Sequence, residues 1–423
     1  MSIVKVTPEP SCADASDPLS LTVEQARTAI RAALTPIRDQ EQVAIRSVLG
    51  RVLAEDCISP LNVPGHTNSA MDGYALSATD LPRDGVREYA VIATALAGQK
   101  VAARCADGEC VRIMTGAPMP PGTDTVVMQE QVEVLDNGRV RIDSRHRAGQ
   151  NVRRAGEDIA QGACVFEAGR VLTAADLGVL ASLGFGELRV RRKPRVAFFS
   201  TGDELRSIGD TLGEGQVYDS NRYSLHAMLS EAGVDIIDLG VVRDERSALQ
   251  EAFSEASRVA DVVITSGGVS VGEADFTREV LARLGEISFW TIAMKPGRPL
   301  TFGRLAQSTF FGLPGNPVAV MLTFQQFVQP ALRYLVSGRW PQPLVVEART
   351  RVALKKRPGR FEFVRGILGY DDDGRLTVGP AGAQGSGILT SMSRANCYIL
   401  LAEDCAGVAA GDTVSVQPFA TLV

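Results

Sequence analysis

The spacing of apolar positions changes period several times along this chain, and each change marks a structural part. Val23, Ala26, Ala29, Ile30, Ala33 and Leu34 recur at helical spacing, and Thr22 with Gln25 three residues on forms a capping-box signature, so an amphipathic helix is predicted over 21–34. From about 88 to 142 the pattern shortens to strand-length runs, with Asn137-Gly138 between 132–135 and 139–142 as a hairpin signature. Residues 156–173 read as further short strands and 174–183 as a helix.

The middle of the chain alternates. Strand-like runs at 195–200, 234–239, 262–264 and 309–311 are separated by helical stretches at 221–232, 247–260 and 276–284, and a long helix is predicted from Pro317 to about 336. Strands alternating with helices predict a parallel, doubly wound sheet whose ligands sit at the carboxyl ends of the strands. Beyond Pro341 and Pro343, the runs LVVEA, FEFVRGIL, RLTVG, CYILLA and TVSVQ have the spacing of a small barrel. The predicted fold class is therefore multidomain α/β plus β: a doubly wound core flanked by β-rich modules, the last a C-terminal small β-barrel.

Chemistry gathers at the predicted strand ends. The stretch 261–275, DVVITSGGVSVGEAD, runs from a buried strand into a turn where Thr265, Ser266, Gly267, Gly268 and Ser270 offer hydroxyls and unobstructed N–H groups to an anion. Its closing carboxylates, Glu273 and Asp275, suit the divalent cation that accompanies a phosphate. Two neighbouring strands end in TGDE, with Glu204, and in a turn from Gly240 to Asp244, so Glu204, Asp244 and Asp275 are expected to converge. Segment MKPGRPL adds Lys295 and Arg298, stiffened by Pro296 and Pro299, and GLPGNP brings Pro314 and Pro317, the latter also suited to the first position of a helix. Each turn alone is ordinary; their common face is what points to a phosphate-and-metal site.

Composition narrows the class without naming it. The chain has 423 residues, 45% hydrophobic and 22% charged, with a formal charge of −5, which gives no general attraction to nucleic acid. No apolar stretch of membrane-spanning length and no secretory core is apparent, so a cytoplasmic protein without membrane or nucleic-acid partners is expected. Seven cysteines without a C-x-x-C pair and three scattered histidines make zinc sites, disulfide frames and Cys/His catalysis poor fits.

Outside the core, NSAMDGYA carries Asp72, VRIMTGAPM carries Thr115, and GQNVRRAGEDI carries Arg153, Arg154, Glu157 and Asp158. Taken singly these are a turn, a second turn and a solvated charge run. In order with STGDEL, TSGGVSVGEAD, MKPGRP and GLPGNPV, they make the chain from about residue 20 onward similar to the molybdenum insertase family, the MoeA and gephyrin E-domain type.

That resemblance implies a four-part subunit. Domain I would combine 1–45 with 147–192, domain II would span 46–146, domain III 193–337 and domain IV 338–423. It implies a homodimer with shared active sites, Asp72 and Thr115 coming from one subunit and Glu204, Asp244, Asp275 and Lys295 from the other. It further implies Mg²⁺, held by Glu204, Asp244 and Asp275, with adenylylated molybdopterin and molybdate as substrates and AMP as a product. Further partners would be the molybdopterin adenylyltransferase and acceptor molybdoenzymes. Molybdate is expected near Arg298 and the segments PGRFEFVRG and TSMSRAN, which carry Arg360, Arg365, Ser391 and Ser393, with a structural pairing of Arg365 to Glu362 as the alternative. Thr291 stands where the family often has a second lysine, and Arg298 where lysine is frequent. Two other readings stay open: a molybdopterin adenylyltransferase-like enzyme, which would not need the Asp72 and Thr115 modules, and a gephyrin-like scaffold with a degenerate site.

Overall fold

A computed structural model describes residues 20–267 and 275–419. The chain divides into two compact units, one spanning 40–190 and one formed by the chain before 40 and after 190.

The smaller unit is built on a six-stranded sheet in the order Thr125–Met128, Gly73–Leu76, Glu109–Ile113, Val86–Ala95, Arg139–Asp143 and Glu133–Val134. Strict alternation sends Tyr74, Leu76, Tyr89, Cys110, Val127 and Val140 to one face and Ala75, Val111, Ile113 and Val126 to the other. The hairpin at Asn137-Gly138 forms as its sequence predicts, with Leu135 N–H donating to Arg139 O at 2.9 Å and Gly138 at φ 76°. A third core packs Val48, Leu53, Leu172 and Val190 around the helix Ala174–Ser182. That helix is capped by Thr173, and its Asp176 takes both ends of the Arg170 guanidinium at 3.0 and 2.9 Å.

The larger unit contains a six-stranded sheet in the order Asp235–Val242, Arg195–Thr201, Val262–Ser266, Ser308–Leu313, Pro299–Leu305 and Gly285–Thr291. The first four strands are parallel, whereas Pro299–Leu305 is antiparallel to both its neighbours. The sheet is therefore mixed, and the alternation of elements did not reveal this reversed strand because its proline start and Gly303 read as turn chemistry. Gly285–Thr291 consequently runs in the same direction as the first four, so its carboxyl end opens on their side of the sheet.

Both faces of this sheet are covered, which is why its strands read as continuous apolar runs. On one face Val196, Phe198, Ile264, Phe311 and Leu313 meet Ile30, Leu225, Phe324 and Phe327. On the other, Phe199 and Phe310 meet Phe253 edge-on, with ring centroids 5.1 and 5.6 Å apart, beside Leu249 and Leu281. Helix Val23–Ala33 carries the predicted Thr22/Gln25 capping box and buries Val23, Ala26 and Ile30, while Ala33 faces solvent. Grouped with 147–192 in the sequence reading, this helix packs instead into the core of the larger unit, its start pinned where Leu21 N–H donates to Thr291 O at 2.9 Å.

The C-terminal strands close into a five-stranded barrel: Phe361–Tyr370, Leu376–Pro380, Val346–Thr350, Thr413–Pro418, Cys397–Leu401 and back to Phe361–Tyr370. Closure turns on Gly366, where the long strand passes from one partner to the other. A Cβ there would stand 2.9 Å from Cys397 Sγ and 3.0 Å from Ile399 Cγ1, so the corner has room only for glycine. The short strand Met294–Lys295 adds in parallel to Phe361-Glu362 and so ties the barrel to the sheet domain. Among the described residues no helix is long and apolar enough to cross a membrane.

Candidate functional site

The carboxyl ends of three parallel strands bring Ser200, Ser266 and Leu313 into lateral register. Ser200, Thr201, Thr265 and Ser266 are all buried there, and the hydroxyls of Ser200, Thr201 and Thr265 find no hydrogen-bond partner among the described residues. Buried hydroxyls without partners are costly, so this rim is arranged for a ligand, an ion or water to complete it. Gly267 follows at φ 84°, and a Cβ on it would stand 2.4 Å from Thr201 O; the turn therefore depends on glycine to press backbone against backbone. Gly268 and Ser270 lie outside the described residues.

One residue that the sequence reading did not single out holds this rim together. Asn221 sits in the first turn of helix Ser220–Glu231, capped by Asp219, whose Oδ1 accepts from Arg222 N–H at 3.1 Å. The Asn221 Nδ2 group donates to Ser266 Oγ and to Gly315 O, both at 2.8 Å, so one buried amide ties the glycine turn to the GLPGNP turn. Its Oδ1, like Asp219 Oδ2, has no partner among the described residues. Asn221 reads in sequence only as the start of a helix, and long-range packing reveals its second role.

The three expected carboxylates come off three adjacent strands. Glu204 follows Arg195–Thr201, Asp244 follows Asp235–Val242, and Asp275 opens the helix Asp275–Leu284 beyond Val262–Ser266. Glu204 is exposed, with its carboxylate folded back to where a Cβ on Gly202 would stand only 2.6 Å away. Arg222 Nε donates to both Asp238 oxygens at 2.9 Å and Gly240 N–H donates to Asp238 Oδ1 at 2.9 Å, shaping the turn that leads to Asp244. Among the described residues no three His, Cys, Asp or Glu side chains are grouped to hold a metal, and the side chain of Asp275 lies outside them. The donor set at this rim is oxygen throughout, carboxylates and hydroxyls, which is the chemistry that suits Mg²⁺ rather than a softer metal.

Positive charge approaches from the next turn. The Lys295–Pro296 bond is cis, and Ile292 N–H donates to Arg298 O at 2.7 Å across the turn. Gly297, at φ 88°, lies against the helix Pro317–Thr323, since a Cβ there would stand 2.9 Å from Thr323 Cγ2. Pro317 occupies the first turn of that helix, as its sequence predicts, and Pro314 is buried in the turn before it. Lys295 pairs with Glu362, Nζ to Oε1 at 3.4 Å. Glu362 is thus engaged by Lys295, and no ion pair joins it to Arg365.

Arg365 itself is 1% exposed, the largest fully buried side chain among the described residues. Its Nε donates to Ser391 Oγ at 3.1 Å and its Nη2 to Ala383 O and Gly385 O at 3.2 and 3.0 Å. Burial pulls its pKa below the ordinary arginine value, and these three acceptors are neutral. A buried cation satisfied by dipoles rather than by a carboxylate keeps its charge available to an anion. The same loop meets the helix start of the core, where Val318 N–H donates to Ser386 O at 3.1 Å. Gln384, also unremarked in the sequence, locks the arrangement by accepting from Arg365 N–H at 2.9 Å and donating to Arg365 O at 3.1 Å. Ser393 is exposed and takes no part in these bonds, so of the two serines it is Ser391 that joins Arg365.

In the smaller unit Asp72 and Thr115 meet, although 43 residues separate them. Thr115 N–H and Thr115 Oγ1 both donate to Asp72 Oδ1 at 2.7 Å. The backbone bond first and the hydroxyl second hold the Asp72 carboxyl below its ordinary range. Gly73 must be glycine, because a Cβ there would stand 2.0 Å from Val127 O of the neighbouring strand.

Comparison with known proteins covers nearly the whole chain. Residues 21–184 match the MoeA N-terminal region (domain I and II), 197–334 the probable molybdopterin binding domain, and 347–419 the MoeA C-terminal region (domain IV). A molybdopterin molybdenumtransferase of Haemophilus influenzae is 42% identical over 400 residues, spanning 94% of this chain and 98% of that protein. One from Nostoc is 38% identical over 373 residues, 86% of this chain and 85% of the relative. The crystal structure of the molybdopterin biosynthesis MoeA protein from Pyrococcus horikoshii OT3 superposes with a TM-score of 0.82 at 28% identity, covering 95% of this chain and 100% of the other. The chain belongs to the MoeA family of molybdopterin molybdenumtransferases, enzymes of molybdenum cofactor biosynthesis.

Proposed function

We propose that this protein inserts molybdate into adenylylated molybdopterin with Mg²⁺-dependent release of AMP. The observation that carries the reading is the approach of three features to one helix, Pro317–Thr323: the glycine turn held by Asn221, the Lys295-to-Arg298 turn, and the barrel loop that Arg365 organises.

Splitting a phosphoanhydride needs a cradle for the anion, cations beside the departing phosphate, and exclusion of competing water. Thr265, Ser266 and the N–H groups from Gly267 to Ser270 would form the cradle. Lys295 and Arg298 would meet charge that develops on the leaving AMP, with Pro314 and Pro317 shaping the opposite wall. Glu204, Asp244 and Asp275 would hold Mg²⁺, which when bound offsets negative charge on the phosphates. Arg365 and Ser391 would receive molybdate, the buried guanidinium replacing part of its hydration shell.

Asp72 and Thr115 complete the site in a homodimer, where Asp72 of the partner subunit faces the cleft of the first. Two features support this: the pair forms a preorganised anion in a module separate from the glycine turn, and it lies in the NSAMDGYA and MTGAPMP segments. An adenylyltransferase would have no use for that module, and a degenerate scaffold would have no reason to keep Arg365 buried.

The test is Arg365→Lys, which keeps a charge but loses the planar fork. The molybdate concentration for half-maximal AMP release is expected to rise at least about tenfold, while affinity for the adenylylated pterin changes little. If pterin affinity collapses and molybdate dependence is untouched, the barrel holds the organic substrate and the anion site is misplaced.

A further inference from the structure

The long helix after the GLPGNP turn is not uniform. It runs as α-helix over Pro317–Thr323, as a π-turn over Phe324–Val328, and as α-helix again over Gln329–Ser337. Within the π-turn Gln329 N–H bonds Phe324 O, five residues back. Pro330 has no N–H, so it leaves the Gln326 carbonyl without its α-helical donor. Arg27 takes that carbonyl through Nε at 3.4 Å and the Gln326 Oε1 through Nη2. A π-turn weakens the helical ladder and persists where outside partners compensate, most often at functional positions.

Here the outside partners come from three directions. Arg27 belongs to the N-terminal helix, and burial pulls its pKa down. Gln326, 1% exposed, also reaches Gln417 of the barrel, Nε2 to Oε1 at 3.4 Å. Gln325 Oε1 accepts from the Tyr398 hydroxyl of the barrel at 2.6 Å. Tyr398 is 1% exposed and lies directly opposite Arg365 on the neighbouring strand. One helix therefore begins at the GLPGNP turn and, eight residues later and about 12 Å along its axis, grips the strand pair that bears Arg365.

We infer that the π-turn is a positioning junction, in which Gln325 sets the location of Arg365 relative to the core site by acting through the Tyr398 hydroxyl. This rests on the proposed role of Arg365 toward molybdate. Gln325 and Tyr398 are positioning residues and touch no reacting atom. The junction fixes the barrel through side-chain hydrogen bonds to consecutive glutamines, and the extra residue of the π-turn rotates the helix that follows it by about 100° relative to an uninterrupted α-helix. The oxyanion end and the phosphate end of the cleft then keep their separation because one rigid helix carries both contacts.

The test uses the full-length protein with Tyr398→Phe, Gln325→Met and Gln325→Glu. The first two remove the hydroxyl or its acceptor with little change in volume, and the third retains an acceptor oxygen. Tyr398→Phe and Gln325→Met are expected to raise the half-saturating molybdate concentration about fivefold, the factor one lost hydrogen bond is worth, with the KM for adenylylated molybdopterin within about twofold. Gln325→Glu is expected to stay near the wild type. In the absence of any substrate, amide hydrogen exchange across 363–367 and 381–388 should quicken in the first two variants only. Unchanged exchange overturns the junction itself. Equal losses in every kinetic parameter, with Gln325→Glu no better than Gln325→Met, reduce Gln325 to a stability role and overturn it too. A wild-type protein with no molybdate dependence overturns the proposed function, and this role with it, even where exchange responds.

Discussion

The Asn221 amide donates to Ser266 Oγ and Gly315 O at the same distance, 2.8 Å, and so fixes two turns from different parts of the sequence. Among the described residues no other side-chain hydrogen bond joins the two turns. Asn221→Ala is expected to fold, because the helix cap at Asp219 remains, and to lower AMP release by about ten- to a hundredfold through loss of alignment. Asn221→Asp should be as poor, since a carboxylate cannot donate to Gly315 O. Wild-type turnover in a folded Asn221→Ala protein would show that the two turns hold their places without it.

Thr115 gives Asp72 two bonds, and they separate experimentally. Thr115→Val keeps the N–H and loses the hydroxyl. The Asp72 carboxyl would then rise toward its ordinary range, and the acid limb of the pH profile for AMP release would move to higher pH. An unmoved limb with unchanged turnover would remove this pair from the chemistry.

The dimer proposal has a sharper consequence. Asp72→Ala and Asp275→Ala chains should each be inactive, and mixing them should restore about a quarter of wild-type activity, because half the dimers would be mixed and each would own one intact cleft. A mixture as inactive as its parents would place the whole site within one subunit.

The base of the central strand carries a pH-dependent contribution to stability. Asp261 takes both guanidinium nitrogens of Arg192 at 2.7 and 2.9 Å and the Arg195 N–H at 2.7 Å. Burial pushes its pKa up, but the Arg192 and Arg195 bonds outweigh that and hold it below 3.8. A depressed carboxyl stabilises the fold above its unfolded pKa, and that contribution is lost as pH falls through the folded value. Asp261→Asn should lower stability by about 2 to 4 kcal/mol near neutrality and flatten the acid side of the curve of stability against pH, measured by urea denaturation. A variant that keeps the wild-type acid slope would show that other carboxylates set it.

Thiol reactivity provides an independent check on the cores. Burial pushes the thiols of Cys110, Cys105 and Cys397 up, to about 12, 11 and 11, whereas Cys164 is exposed. With iodoacetamide at pH 8, peptides containing Cys164 should label promptly and those containing Cys105, Cys110 and Cys397 only after denaturation. Early labelling of Cys397 would mean that the barrel opens around Gly366.

Where local rules sufficed, the fold was legible in the sequence. The Thr22/Gln25 capping box, the Asn137-Gly138 hairpin, the alternating core and the five barrel runs all form from short-range signals. The antiparallel strand Pro299–Leu305 was hidden by its own proline and glycine, and the π-turn by the absence of any local sign beyond Pro330. Among site residues, Asp72 with Thr115 and Arg365 with Ser391 meet in space. Asn221, Gln325 and Gln384 act through partners 19 to 94 residues away, and polar side chains at that range leave no periodic trace.

The most direct measurement is a single-turnover reaction of the purified protein with adenylylated molybdopterin, Mg²⁺ and molybdate, following AMP and protein-bound molybdenum together. If the proposed function holds, AMP and dithiolene-bound molybdenum appear in equal amounts, and both vanish when molybdate is omitted. Consumption of ATP with unadenylylated molybdopterin, or AMP release that leaves no molybdenum on the pterin, would contradict it.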